Sequence, residues 1–243
     1  MEKSNKIYLV IIIICSVLVV GLCGYAIMNH KEIKETDAIK FKNEYESLNG
    51  YKNENSDKEY MKVEIDSENP IIYKTGQEIL DVLKNENAIV YFGFAACPWC
   101  RNAVPILLEA AKEEGLDKIY YVDILNIRDQ YKFSGSIEPE MIKKGTDAYY
   151  DILKFLDKKL EKYYVTDDSG NMYDTGVKRL YAPSVLAVKD GKALDLHVST
   201  LDSQEDPYTA LTDEQKKELK DIYKEMIKKV NDNNIACKQD EAC

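Results

Sequence analysis

One tetrapeptide, Cys97-Pro98-Trp99-Cys100, sits where two incompatible sequence patterns meet. Before it, Ala88-Ile89-Val90-Tyr91-Phe92-Gly93-Phe94 is a continuous apolar run of strand length. After it, from Arg101 to Glu114, the apolar residues Val104, Leu107, Leu108 and Ala111 recur at helical spacing. The junction predicts a buried strand that turns directly into a helix, with both cysteines in the helix's first turn. Free backbone N–H groups and the positive end of the helix dipole lie there. A thiolate at that position is stabilised, so its pKa falls and it becomes the better nucleophile. Cys97, at the exposed start, is expected to attack first, and Cys100, one turn in, to resolve the mixed disulfide. Pro98 suits the first turn because it needs no N–H partner there. Trp99 would give one lip of the site an apolar surface.

The strand, the C-x-x-C pair and a long helix with an internal proline, Pro105, together resemble the thioredoxin superfamily. A second mark lies downstream in Tyr181-Ala182-Pro183-Ser184-Val185, similar to the family's cis-proline at the start of a strand. Val185 to Val188, a turn at Asp190-Gly191 and Lys192 to His197 then read as a hairpin. The resemblance covers residues 70–231. It implies an α/β, thioredoxin-like fold, a mixed central sheet flanked by helices. It also implies that Ala182-Pro183 is cis and faces the cysteines. Substrate would then bind along Pro98, Trp99, Ala182 and Pro183, and the exchange would need neither cofactor nor metal. The chain departs from the family at Tyr91, where thioredoxins proper carry a buried aspartate six residues before the first cysteine. Pro98-Trp99 is not thioredoxin's own dipeptide either. Both departures argue against a general reductant.

The 243 residues carry a net charge of −10. That length fits one ordinary domain with appendages. The acidic balance excludes nucleic acid as the expected partner, since phosphate contacts need clustered Lys and Arg. His30 and His197 are the two histidines, too far apart in sequence to suggest a histidine metal site or triad. A zinc half-site at Cys97 and Cys100 lacks nearby ligand partners.

Ile7 to Met28 is almost wholly apolar, long enough for a membrane-spanning helix. Lys3 and Lys6 precede it and favour a cytoplasmic stub over residues 1–6. Neither a small-residue cleavage site nor a lipoprotein-type residue before Cys15 or Cys23 stands out. The expected arrangement is a retained anchor at 7–28, with Cys15 and Cys23 as apolar fillers and the rest outside the cytoplasm, where disulfides persist. Residues 29–69 are rich in Lys, Glu, Asn and Asp and read as a polar tether. Within it, Phe41, Tyr45 and Leu48 suggest a short amphipathic helix, and Met61 to Ile65 an edge strand.

The domain is expected to begin near Pro70, with a strand at Ile71-Ile72-Tyr73 and a helix from the N-cap Thr75 to Asn85. Lys118 to Ile124 reads as the next buried strand, paired in parallel through the cysteine-bearing helix. About sixty residues then separate it from Pro183, more than a simple connection needs. A helical insertion over 134–176 is expected there, with helices starting at Pro139 and running from Thr146 to Tyr164, then a turn-rich loop at Asp167 to Gly170. It would pack beside the active site or merely cap the sheet. A last helix runs from Thr212, with Gln215 completing a capping box, to Val230. The tail, 232–243, carries Cys237 and Cys243, read as a local structural disulfide or a redox relay to Cys97.

The chain is thus expected to be a membrane-anchored, extracytoplasmic thiol–disulfide oxidoreductase. Its substrates would be cysteine-containing proteins or peptides, and a membrane redox partner would fit. The rival expectation is a non-catalytic scaffold, since anchored thioredoxin-like proteins described as bacteriocin-transport accessories look similar. The direction of exchange depends on thiolate stabilisation rather than on the fold.

Overall fold

The computed structural model describes residues 8, 14, 16–21, 35–53, 56–135 and 138–231. The chain divides into two units, Met1–Thr36 and Asp37–Cys243. In the first, residues 16–21 are helical and exposed. Among the described residues no helix is long and apolar enough to cross a membrane. Most of the expected anchor, with Cys15 and Cys23, lies outside the described residues. So do the stub at 1–6 and the tail at 232–243 with Cys237 and Cys243.

The second unit is built on a mixed five-stranded sheet. Its strands are β1 (Ile71–Tyr73), β2 (Ala88–Gly93), β3 (Ile119–Asp123), β8 (Ser184–Lys189) and β9 (Lys192–Val198). They lie in the order β1-β3-β2-β8-β9. β1 and β2 both run parallel to β3, whereas β8 runs antiparallel to β2 and to β9. Helices α1 (Asp37–Glu46), α3 (Pro98–Glu113) and α5 (Asp213–Val230) supply one core, and α2 (Gly76–Asn85) and α4 (Asp147–Leu156) the other. This mixed α/β architecture is compatible with a thioredoxin-like fold.

The central strand explains the arrangement. Alternate residues of a strand face opposite sides, so Ile89 and Tyr91 enter one core while Val90 and Phe92 enter the other. All of β2 is buried, as its unbroken apolar run requires. The flanking helices start where the sequence supplies caps. Thr75 and Glu78 form a capping box on α2, and Thr212 and Gln215 form one on α5.

Two stretches differ from expectation. From Asp37 onward the tether is part of the fold: Phe41 and Tyr45 of α1 are fully buried, and so nearly are Val63 and Ile65. Two aromatic side chains on one face of a lysine- and glutamate-rich helix suffice to dock it. Met61 to Ile65 shows the alternating burial of an edge strand yet joins no ladder. Side chains hold it instead. Asn49 Nδ2 donates to the Val63 carbonyl at 2.8 Å, and the Val63 N–H donates to Asn49 Oδ1 at 3.0 Å. The Ile65 N–H donates to Glu46 Oε1 at 2.8 Å.

The insertion is not mainly helical. β4 (Gln130–Lys132) pairs antiparallel with β5 (Glu140–Lys143), so the helix expected from Pro139 is a strand. α4 starts at its Thr146 cap as expected but ends at Leu156. Beyond a 3-10 turn, β6 (Glu161–Thr166) pairs with β7 (Met172–Arg179). Tyr163, Tyr164, Val165 and Thr166 are strand-favouring residues that the helical spacing of Leu156 and Leu160 masks. Asp167 to Gly170 connects the two strands, with the Asp167 carboxylate accepting from the Ser169 and Asn171 N–H groups.

Candidate thiol site

Antiparallel pairing places the C-terminal end of β2 beside the N-terminal end of β8, with Phe92 opposite Ser184. The chain leaving β2 reaches Cys97, and the chain entering β8 passes through Ala182 and Pro183. This register brings together two segments more than eighty positions apart. The Cys97 thiol lies 3.4 Å from the Ala182 carbonyl oxygen, at a separation of 85 residues. The Ala182-Pro183 bond is cis.

Cys97 is the N-cap of α3, and its sulfur accepts a hydrogen bond from the Cys100 N–H at 3.2 Å. A sulfur therefore takes the capping place usually held by a side-chain oxygen. Pro98 occupies the first turn and Pro105 lies inside the helix. Both cysteines are free thiols. Cys97 is 4 % exposed and Cys100 fully buried. Around them Pro98, Trp99 and Ala182 are half-buried, whereas Pro183 is buried. Of the four residues expected to meet a substrate, three are thus partly exposed and Pro183 is not.

The two thiols are pushed apart electrostatically. Burial raises the Cys97 thiol, but hydrogen bonds from the Cys100 thiol and from the Cys100 and Trp99 N–H groups, with the Arg128 charge, outweigh it and hold it below the ordinary value. Burial pushes Cys100 well above that value, and its hydrogen bond to Cys97 and the Cys97 charge push further the same way. A hydrogen bond from Tyr91 opposes this without reversing it. Cys97 is thus buried rather than exposed as its place at the helix start suggests, and a sulfur whose thiolate is favoured next to one whose thiol is favoured is an arrangement suited to stepwise exchange.

Sequence reasoning missed three contributors. Arg128 lies over the Phe94 ring at 4.8 Å, and its Nε is buried without a hydrogen-bond partner among the described residues. Burial, then the like charge of Arg179, lowers the pKa of its guanidinium. Arg179 itself is paired with Asp129 at 3.3 Å. No spacing or motif marks Arg128 in the sequence. Arg101 follows Cys100 directly and is fully buried. Its Nε donates to the Met61 carbonyl at 2.7 Å, and its terminal nitrogens donate to the Tyr45 carbonyl at 2.8 Å and to Asn49 Oδ1 at 2.6 Å. Tyr45 is the third: its hydroxyl lies 2.7 Å from that of Tyr91. Among the described residues no group of three or more His, Cys, Asp or Glu is arranged to hold a metal ion.

The chain matches no family model and no curated protein.

Proposed function

We propose that the protein is a thiol–disulfide oxidoreductase of thioredoxin-like fold that exchanges disulfides with cysteine-containing proteins or peptides. The observation that carries this reading is the Cys97 sulfur, which caps α3 while lying 3.4 Å from the Ala182 carbonyl. In the reducing direction the Cys97 thiolate attacks a substrate disulfide and expels one substrate thiolate; Cys100 then displaces the other substrate sulfur from Cys97, and the pair closes into a disulfide. In the oxidising direction a substrate thiolate attacks Cys97 of the closed pair and expels Cys100, and the substrate's second thiolate displaces Cys97. The half-buried surface of Pro98, Trp99 and Ala182 supports docking of an extended peptide beside β8. Outside the cytoplasm, where the apolar run at 7–28 would hold the domain, such a pair meets substrates whose disulfides persist.

The test is reduction or oxidation of a disulfide-bonded protein such as insulin by the wild type, Cys97→Ser and Cys100→Ser. The expected result is turnover that needs both cysteines, with Cys100→Ser accumulating a mixed disulfide through Cys97. Cellular function that survives Cys97→Ser would instead favour the accessory or scaffold reading.

A further inference from the structure

Of the 33 Lys and Arg side chains only Arg101, Arg128 and Arg179 are arginines. Two of them are engaged within the fold. Arg101 donates to the Met61, Tyr45 and Ala95 carbonyls and to the Asn49 side chain. Arg179 donates to the Asp129 carboxylate at 3.3 Å and to its carbonyl at 3.2 Å, with the Tyr163 ring centroid 3.9 Å away. Arg128 differs. It is half-buried, its Nε is buried without a partner, and no carboxylate among the described residues is ion-paired with it. Asp123 and Asp129 feel its charge from farther off, and Asp129 is already committed to Arg179. A guanidinium withdrawn from water without an acceptor is costly. An acceptor arriving from outside recovers that cost.

The sheet puts this charge beside the thiol. β2 and β3 are parallel, with Gly93 opposite Asp123. The loops that leave them therefore emerge side by side at the carboxyl end of the sheet, where open α/β sheets bind ligands. The Ile124 N–H donates to the Gly93 carbonyl at 3.2 Å, which holds the two loops together at their start. One loop leads to Cys97 and the other carries Arg128. Phe94 joins them: its carbonyl accepts from the Cys97 N–H at 3.1 Å, and its ring centroid lies 4.8 Å from the Arg128 guanidinium carbon. Contact with a ring face uses none of the five N–H donors of a guanidinium. The Arg128 charge favours the Cys97 thiolate, but a single sulfur uses only part of the donor fork. A carboxylate matches the fork with two oxygens.

We propose that Arg128 is an anion subsite of the thiol site, which reads a carboxylate carried beside the reactive cysteine of a disulfide-bonded peptide substrate. The proposal rests on the exchange reading above and names the substrate class within it: peptides with an acidic residue next to the cysteine. The net charge of −10 repels anions at long range. Arg128 therefore selects among substrates already at the site rather than steering them to it.

The experiment uses the full-length reduced chain and two disulfide-linked peptide dimers that differ only in Glu or Gln beside the cysteine. Attack by the Cys97 thiolate forms a Cys97–peptide disulfide and expels one peptide thiolate, which takes up a proton. Released peptide is counted by chromatography after acid quenching. Mercaptoethanol, an uncharged thiol, supplies the intrinsic rate ratio of the two dimers. The expected result is a wild-type preference for the Glu dimer about fivefold beyond that ratio at low salt, the size of one solvent-screened charge pair. The preference should shrink at about 1 M salt and vanish in Arg128→Met. Any loss of Cys97 reactivity in that variant slows both dimers alike, so the ratio isolates the carboxylate. Arg128→Gln keeps a polar side chain over Phe94 and decides the question if Arg128→Met does not fold. A wild-type ratio equal to that of mercaptoethanol, or a preference kept in a folded Arg128 variant, overturns the subsite alone. A wild-type chain that releases peptide from neither dimer overturns the exchange reading and the subsite with it.

Discussion

Arg101 Nε donates to the Met61 carbonyl at 2.7 Å, linking the residue next to Cys100 to a segment forty positions upstream. The same guanidinium reaches the Tyr45 and Ala95 carbonyls and the Asn49 side chain. Among the described residues no carboxylate accepts from it; the charge is solvated by carbonyl and amide oxygens, with the Tyr60 ring centroid 5.5 Å away. Arg101→Met should therefore destabilise the domain by about 3 kcal/mol, since several buried acceptors lose a charged donor at once. Arg101→Lys should not restore it, because an ammonium cannot reproduce the planar fork. Denaturant unfolding monitored by circular dichroism measures both; a variant within about 0.5 kcal/mol of wild type would contradict this role.

Residues 37–69 should be required for folding. Phe41, Tyr45, Val63 and Ile65 are all buried in the core that also holds the cysteines. A buried apolar side chain contributes roughly 1.5–3 kcal/mol, so losing four rivals the roughly 5–15 kcal/mol that holds a domain together. A chain starting at Thr36 should unfold cooperatively, and one starting at Pro70 should show no cooperative transition by calorimetry. Equal melting of the two would restore the tether reading.

The Cys97 thiol should titrate below the ordinary range, and Arg128 should be part of the reason. In a Cys100→Ser background, alkylation of Cys97 against pH should shift upward by up to about one unit on Arg128→Met. No shift would place the stabilisation wholly in the helix start.

Gly93→Ala should cost about 1–3 kcal/mol, the usual range for forcing extra volume into a packed core. The new methyl group displaces the Tyr91 hydroxyl rather than backbone. Thermal melts check the stability change, and full stability would mean that Tyr91 has another place to go.

His197 should make the domain acid-sensitive. Burial lowers its pKa, and its ring lies against Tyr223 with Nε2 2.7 Å from the Thr200 carbonyl. The folded state therefore holds its proton less tightly than the unfolded chain does, where the value is near about 6.5. The unfolded state binds more protons as pH falls through that value, so stability falls too. Asp195 and Asp202 oppose the shift without cancelling it. Between pH 7 and 5, wild type should lose more stability than His197→Gln, as measured by urea unfolding at each pH.

Much of the sheet and the thiol pair was legible, because each rests on an unambiguous local pattern. β2 is an unbroken apolar run, α3 shows helical spacing, and a proline precedes β8. Elements that depend on tertiary partners were not. α1 buries only Phe41 and Tyr45 among ten mostly polar residues, too few for periodicity to separate from a solvated helix. β4 and β5 are three and four residues long and largely exposed, so neither alternation nor apolar content marks them. Nothing in the sequence marks Arg101 or Arg128, because only the fold buries the first and half-buries the second. Tyr91 was visible as a departure from the family, but its partner Tyr45 lay in what read as a tether.

The central claim is that Cys97 and Cys100 are a redox-active pair. Equilibrating the full-length chain with glutathione buffers of graded poise, and counting oxidised pairs by mass after thiol alkylation, tests it most directly. The account predicts a two-electron transition midpoint within the roughly −120 to −270 mV spanned by exchange proteins of this kind, lost in Cys97→Ser and in Cys100→Ser. A pair that never forms a disulfide, or one whose midpoint lies below about −300 mV as structural disulfides do, would contradict it.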